Sequence, residues 1–199
     1  MTSNSPNAQR GIINWRIIGW GSAILLLLLP LAAMQFTNEV NWTISDFVFA
    51  AVLLGSVGFI LELAVRRAGD WTYRAAMACA AAAGFLLFWA NGAVGLIGSE
   101  TNDANGWFYL VPLLALLGGL ITRAQPAAMA WVMAAAAVAQ IAIACTVMAV
   151  SWPQREYIWI RELVLSGGFF GALWLASAAL FRAAARRHDK RVAPLQRSS

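Results

Sequence analysis

Runs of about twenty apolar residues, separated by short polar turns, set the limits on what this chain can become. The stretch "AILLLLLPLAAMQF" (23–36) and the longer "AMAWVMAAAAVAQIAIACTVMAV" (128–150) carry no charge at all. A bilayer offers about 30 Å of hydrocarbon, which a helix of about 20 predominantly apolar residues crosses. Reading the 199 residues in this way predicts six spans, over about 15–36, 46–65, 73–98, 107–122, 127–150 and 163–181. The expected fold class is therefore all-α, a polytopic transmembrane bundle. Residues 1–14 read as a disordered polar N-terminus and 182–199 as a basic cytoplasmic tail.

Composition agrees with the count of spans. Hydrophobic residues make up 61% of the chain and charged residues 12%, against roughly 25% charged in soluble domains. The first apolar run exceeds a signal-peptide core of roughly 7–15 residues and no clean A-x-A site follows, so it reads as a retained helix.

Charge then sets an expected orientation. Lys and Arg in short loops concentrate on the cytoplasmic side. With both termini inside, twelve of the 14 basic residues are cytoplasmic, and only Arg155 and Arg161 lie outside. Glu39, Asp46, Glu100, Asp103, Glu156 and Glu162 then fall on the outer side, giving an acidic mouth. The net charge of +5 is explained by membrane edges and anionic headgroups at the basic tail, with no need for nucleic acid as a partner.

Ionisable or amide side chains inside an apolar span call for an explanation, because a charge at a helix centre costs roughly 2.5–3.5 kcal/mol on insertion scales. Glu62 lies close to the cytoplasmic edge of the second span. Arg66 follows it by four residues, so a pair with Arg66, or across the turn with Arg74, is the plainer reading, and a proton or cation carrier the sharper one. Asn91 and Gln140 lie about 10 Å and 15 Å below the outer ends of their helices, depths at which the two amides could face each other. Interhelical amide bonds of this kind average about 0.6 kcal/mol. Together with Glu100 and Asp103, these residues define a candidate polar path: Glu62, Asn91, Glu100, Asp103 and Gln140.

The segment "VGLIGSETNDAN" (94–105) places Glu100, Asn102, Asp103 and Asn105 just beyond an apolar helix. As a calcium loop it fails, since its oxygens do not alternate in the D-x-[DN]-x-[DN]-G register and the twelfth position from Glu100 is Val111. Helix capping and turn formation explain its composition, with Glu100 marking where an outer site would be. Gly167 and Gly171 in GxxxG spacing, with Gly55, Gly58, Gly118 and Gly119, predict close helix contact.

Other chemistry lacks its apparatus. Cys79 and Cys145 sit in apolar helices without CxxC spacing, His188 stands in the tail, and no GxxxxGK[ST], HExxH or GxSxG occurs. No catalytic residue, metal site or cofactor is expected.

The runs "NEVNWTISDF" (38–47), "YRAA" (73–76) and "NGAVGLIGSETNDAN" (91–105) resemble those of a family of small bacterial polytopic membrane proteins that are themselves uncharacterised. The resemblance implies a multi-pass protein of the bacterial inner membrane and assigns no activity to any residue. Three functions are therefore expected to compete: an accessory or structural protein that associates with lipid, a larger membrane complex or a second copy of itself; a small-solute or cation transporter or channel with an acidic outer mouth; and, behind these, an integral membrane enzyme on lipid or isoprenoid substrates, for which the sequence offers no catalytic cluster.

Overall fold

The computed structural model describes residues 6–67, 70–98, 101–151 and 159–196. Among them there is no strand, and six helical stretches are long and apolar enough to cross a membrane: Arg16–Phe36, Ile44–Arg66, Trp71–Ala93, Asp103–Ile121, Pro126–Val150 and Ile160–Lys190. The chain is a multi-pass α-helical membrane protein. It divides into two compact units, Met1–Glu62 and Leu63–Ser199, with the division falling inside the second helix.

The first unit is built on α1 (Pro6–Phe36) and α2 (Ile44–Arg67). Thr43 opens α2: its backbone N–H and its hydroxyl both donate to the Asp46 carboxylate, at 2.7 and 2.8 Å. With both donors of Thr43 held by one carboxylate a turn further on, the start of the helix is fixed. Along α1, Ile17, Ile18, Ile24, Leu25, Leu28 and Leu29 are all exposed, a surface that is stable only where lipid replaces water.

The second unit holds α3 (Trp71–Ala93), a 3-10 turn (Asp103–Tyr109) leading into α4 (Leu110–Ile121), α5 (Pro126–Ser151), α6 (Trp159–Leu163), a π turn (Val164–Phe169) and α7 (Phe170–Gln196). The last three run without a break. α7 is the common partner, packing on α3 and on α5, while α4 packs on α5. Against α3, Tyr73 meets Phe181 edge to face at 5.5 Å, the Ser177 hydroxyl donates to the Ala76 carbonyl at 2.9 Å, and Cys79 Sγ lies 3.4 Å from the Leu173 carbonyl.

Small residues set the helix spacing, because no hydrophobic effect drives helices together in lipid and close van der Waals contact must do so instead. A Cβ on Gly167 would lie 3.1 Å from Ala144 Cβ, and one on Gly171 would lie 3.0 Å from Ile141 Cγ1. The GxxxG pair of the sixth span thus seats α5. Gly118 is tighter still: a Cβ there would stand 2.5 Å from Val132 Cγ1.

The α4–α5 turn is short because Arg123 and Ala124 both take left-handed φ, 51° and 55°, a conformation that disfavours residues with a Cβ by roughly 1–2 kcal/mol each. Tyr73 helps hold it, donating its hydroxyl to the Ala124 carbonyl at 2.9 Å. At the opposite end of the unit, α3 stops at Ala93, short of the residue 98 that hydrophobicity suggested. The reason is local: Gly95 and Gly98 have φ of 72° and 76°, and the chain turns back on itself.

Gly118→Ala is expected to destabilise the protein in detergent by about 1–3 kcal/mol through overpacking, and Val132→Ala in the same chain to restore most of the loss. Thermal unfolding followed by circular dichroism reads both; an unchanged midpoint for Gly118→Ala alone would contradict this packing.

Candidate functional site

Asn91, Asn105, Gln140, Glu162 and Ser166, five of the seven buried polar residues of the second unit among the described residues, gather where α3 finishes, the 3-10 turn begins and α6 passes into the π turn. Asn105 is the centre. Its side-chain Oδ1 accepts the backbone N–H groups of Leu96 at 3.0 Å and Ile97 at 2.9 Å, and its Nδ2 donates to the Ile97 carbonyl at 3.2 Å. One amide therefore imitates the hydrogen bonding of a neighbouring strand for a loop that has none. Its own carbonyl accepts Asn91 Nδ2 at 2.8 Å, which ties the loop to the body of α3.

Asn102 works beside it. Its Oδ1 caps the 3-10 turn by accepting the Ala104 N–H at 3.1 Å, and its Nδ2 donates to the Ile97 carbonyl at 3.1 Å. Asn105 and Asn91 are 4% and 2% exposed, so no solvent shares this work. Leu96 and Ile97 are buried with them.

Glu162 joins the loop to the last helix. Its Oε1 accepts the Gly98 N–H at 3.0 Å. The carboxylate is 6% exposed, so this acid, read from sequence as part of an outer mouth, is spent on a backbone amide inside the fold.

The π turn explains the next contacts. Widening a helix from i→i+4 to i→i+5 bonding releases a carbonyl from its usual partner. The Ser166 hydroxyl donates to the Glu162 carbonyl at 2.6 Å, and Gln140 Nε2 crosses from α5 to the Ser166 carbonyl at 2.6 Å. Gln140 and Ser166 are both fully buried. Gly167 and Gly168 lie in the widened turn, where the chain most easily leaves regular helix.

Asn91 and Gln140 thus belong to one hydrogen-bonded network, but they do not meet as a direct pair. They are linked through Asn105, the 96–98 backbone, Glu162 and Ser166. Two acceptors, Asn91 Oδ1 and Gln140 Oε1, are buried with no hydrogen-bond partner among the described residues. Asp103 is exposed in the first turn of the 3-10 segment. Glu100 lies outside the described residues.

Glu62 belongs to the first unit. Arg16 of α1 forms an ion pair with its Oε1, and Trp20 Nε1 lies 3.5 Å from its Oε2. Sequence spacing pointed to Arg66 or Arg74; the reach across the hairpin to Arg16 was hidden because it spans 46 positions. The Trp20 ring also covers Gly58, where a Cβ would stand 3.1 Å from Cη2, so Gly58 leaves room for the indole.

Sequence reasoning missed the parts of Asn105 and Glu162. A signal existed for the first, since an Asn following two loop glycines is suited to bonding nearby backbone. For Glu162 the i, i+4 spacing to Ser166 was available, but nothing local pointed to Gly98.

Chemically, the arrangement satisfies backbone groups and holds a loop at a helix end. Among the described residues, no group of three or more His, Cys, Asp or Glu side chains is placed to hold a metal ion. No family model, curated protein or solved structure matches the chain.

Asn105→Ala removes three bonds and leaves two loop N–H groups buried and unmet, each costing about 1–3 kcal/mol. A loss of at least about 2 kcal/mol is expected. Asn105→Asp keeps the acceptor, loses the donor and should fall between the two in denaturation midpoint. Gln140→Leu should cost about 1–3 kcal/mol, because it leaves the Ser166 carbonyl of the π turn buried and unmet, a loss that removing the unmet Gln140 oxygen only partly offsets.

Proposed function

We propose that this chain is an accessory membrane protein of the bacterial inner membrane, with both termini cytoplasmic, acting through its helix faces and basic end on lipid or on a larger membrane complex. The observation that carries the reading is the use made of the polar groups. Asn91, Asn105, Gln140 and the Glu162 carboxylate make their hydrogen bonds to backbone of the same unit, and Glu62 pairs with Arg16. Side chains spent on holding backbone are poorly placed to exchange a hydration shell with a passing solute. The exposed apolar length of α1 and the cationic end of α7 supply surfaces for lipid or a partner helix.

The second reading, a small-solute or cation path, has one observation in its favour: the two buried amide oxygens of Asn91 and Gln140, which have no hydrogen-bond partner among the described residues. Such acceptors suit a cation or a hydrogen-bond donor in transit.

Reconstitution separates the two. Proteoliposomes holding the full chain are expected to leak K⁺, Na⁺ and H⁺ no faster than empty vesicles, while mild-detergent extracts should bring down a stoichiometric membrane partner. Ion flux above the empty-vesicle rate that falls in Asn91→Ala and Gln140→Leu would overturn the accessory reading in favour of transport. For orientation, reporter fusions at both termini should report cytoplasmic locations; opposite sides would contradict an even number of crossings.

A further inference from the structure

The last helix outruns the bilayer. The helical stretch that holds its apolar segment runs Ile160–Lys190, 31 residues, about 46 Å at about 1.5 Å per residue, against about 30 Å of hydrocarbon. The final turns therefore stand at headgroup level or beyond, and the arginines begin there. Ala179, Arg182, Ala183, Arg186 and Arg187 recur at i, i+3, i+4, i+7 and i+8, one stripe of an α-helix, and together line a groove on α7.

Two of the guanidinium groups are held in place over aromatic rings, and only one of them has a carboxylate partner among the described residues. Arg182 lies over the Trp131 ring at 5.8 Å and Arg187 over the Trp71 ring at 5.6 Å. Both tryptophans are exposed, as rings at a membrane–water interface are. Asp70 lies 3.7 Å from Arg187, and Asp189 follows Arg186 by three positions on the same helix. Arg186, between the two stacked arginines, has no ion pair or hydrogen bond among the described residues. Three arginines thus outnumber the nearby acids, Asp70 and Asp189.

The continuation of the stripe identifies the occupant. Toward the hydrocarbon it runs through Ala183 and Ala179 to Leu175, which is half exposed. A free anion has no use for such a track, whereas an acyl chain fits it. We infer that the groove binds an anionic phospholipid, its phosphate held by Arg182, Arg186 and Arg187 and a chain lying along Ala183, Ala179 and Leu175. This rests on the lipid-associated reading above and names the lipid class. Bidentate guanidinium contacts to phosphate oxygens supply the recognition, and the stacked tryptophans fix two of the three forks in advance.

The test is native mass spectrometry of the full chain in neutral detergent, titrated with phosphatidylglycerol or phosphatidylcholine of the same acyl chains. The wild type should retain phosphatidylglycerol preferentially. R182Q/R186Q/R187Q should reduce that retention on the order of a hundredfold, and R186Q alone about fivefold, from roughly 1 kcal/mol per basic residue at an anionic surface. R186Q breaks no contact within the described fold, so it reads binding even where the triple variant is unstable. The charge-matched variant R10Q/R123Q/R161Q should retain phosphatidylglycerol as the wild type does. Equal retention of the two lipids, wild-type behaviour of R186Q, or displacement by millimolar glycerol phosphate would each overturn the assignment, the last by making the groove a free-anion site. None of these outcomes depends on ion flux or partner capture, so this assignment and the accessory reading fail separately.

Discussion

A backbone amide with no water to turn to must find its partner in the chain, and the second unit depends on how that demand is met by Asn105. The loop after α3 is buried at Leu96 and Ile97 yet belongs to no helix, so its N–H groups have no i−4 carbonyl to use. An unmet buried amide costs about 1–3 kcal/mol in a protein and more in hydrocarbon. One asparagine side chain meets two such N–H groups and one carbonyl at once. With the loop so held, Gly98 is available to Glu162, and the end of α3 is joined to the start of the last helix.

The same demand recurs in the π turn. Regular helix satisfies its own backbone, and a widened turn does not; Ser166 and Gln140 complete the bonding there. The turn also brings Gly167 against Ala144 and is followed by Gly171 against Ile141, so α5 approaches α7 closely enough for the Gln140 amide to reach the Ser166 carbonyl. Packing and polar bonding are therefore one feature: the glycines set the distance and the amide uses it. At the other end of the unit, the Tyr73 hydroxyl on Ala124 and the Ser177 hydroxyl on Ala76 do similar work with fewer groups.

Much of this fold was legible from residue order. Membrane spans are written in long apolar runs, because hydrocarbon leaves a chain little choice but to satisfy its backbone in helices, and all six runs form helices of sufficient length. The short interval between the spans ending at 122 and starting at 127, and the role of Gly167 and Gly171 in close contact, also followed from local pattern. The candidate site was less legible, for a physical reason. Whether an acid such as Glu162 serves an aqueous mouth or a buried amide depends on a partner 64 positions away, and spacing along one helix carries no record of that. Glu62 repeats the point, since Arg66 is its neighbour in sequence while Arg16 lies on another helix. Asn91 and Gln140 stand out in the sequence as amides within apolar spans, but what each bonds to is a property of the loop and of the π turn.

The functional reading follows from what remains once these groups are assigned. The interior amides hold backbone, and the surfaces left for interaction are apolar helix faces and the arginine stripe of α7. The central claim is that Asn105 locks the 94–98 loop from within, and hydrogen–deuterium exchange of the Leu96 and Ile97 amides tests it most directly. The account predicts protection comparable to amides in the middle of α5, lost when Asn105 is replaced by alanine. Exchange of both amides in the wild type at the rate of an open loop would contradict it.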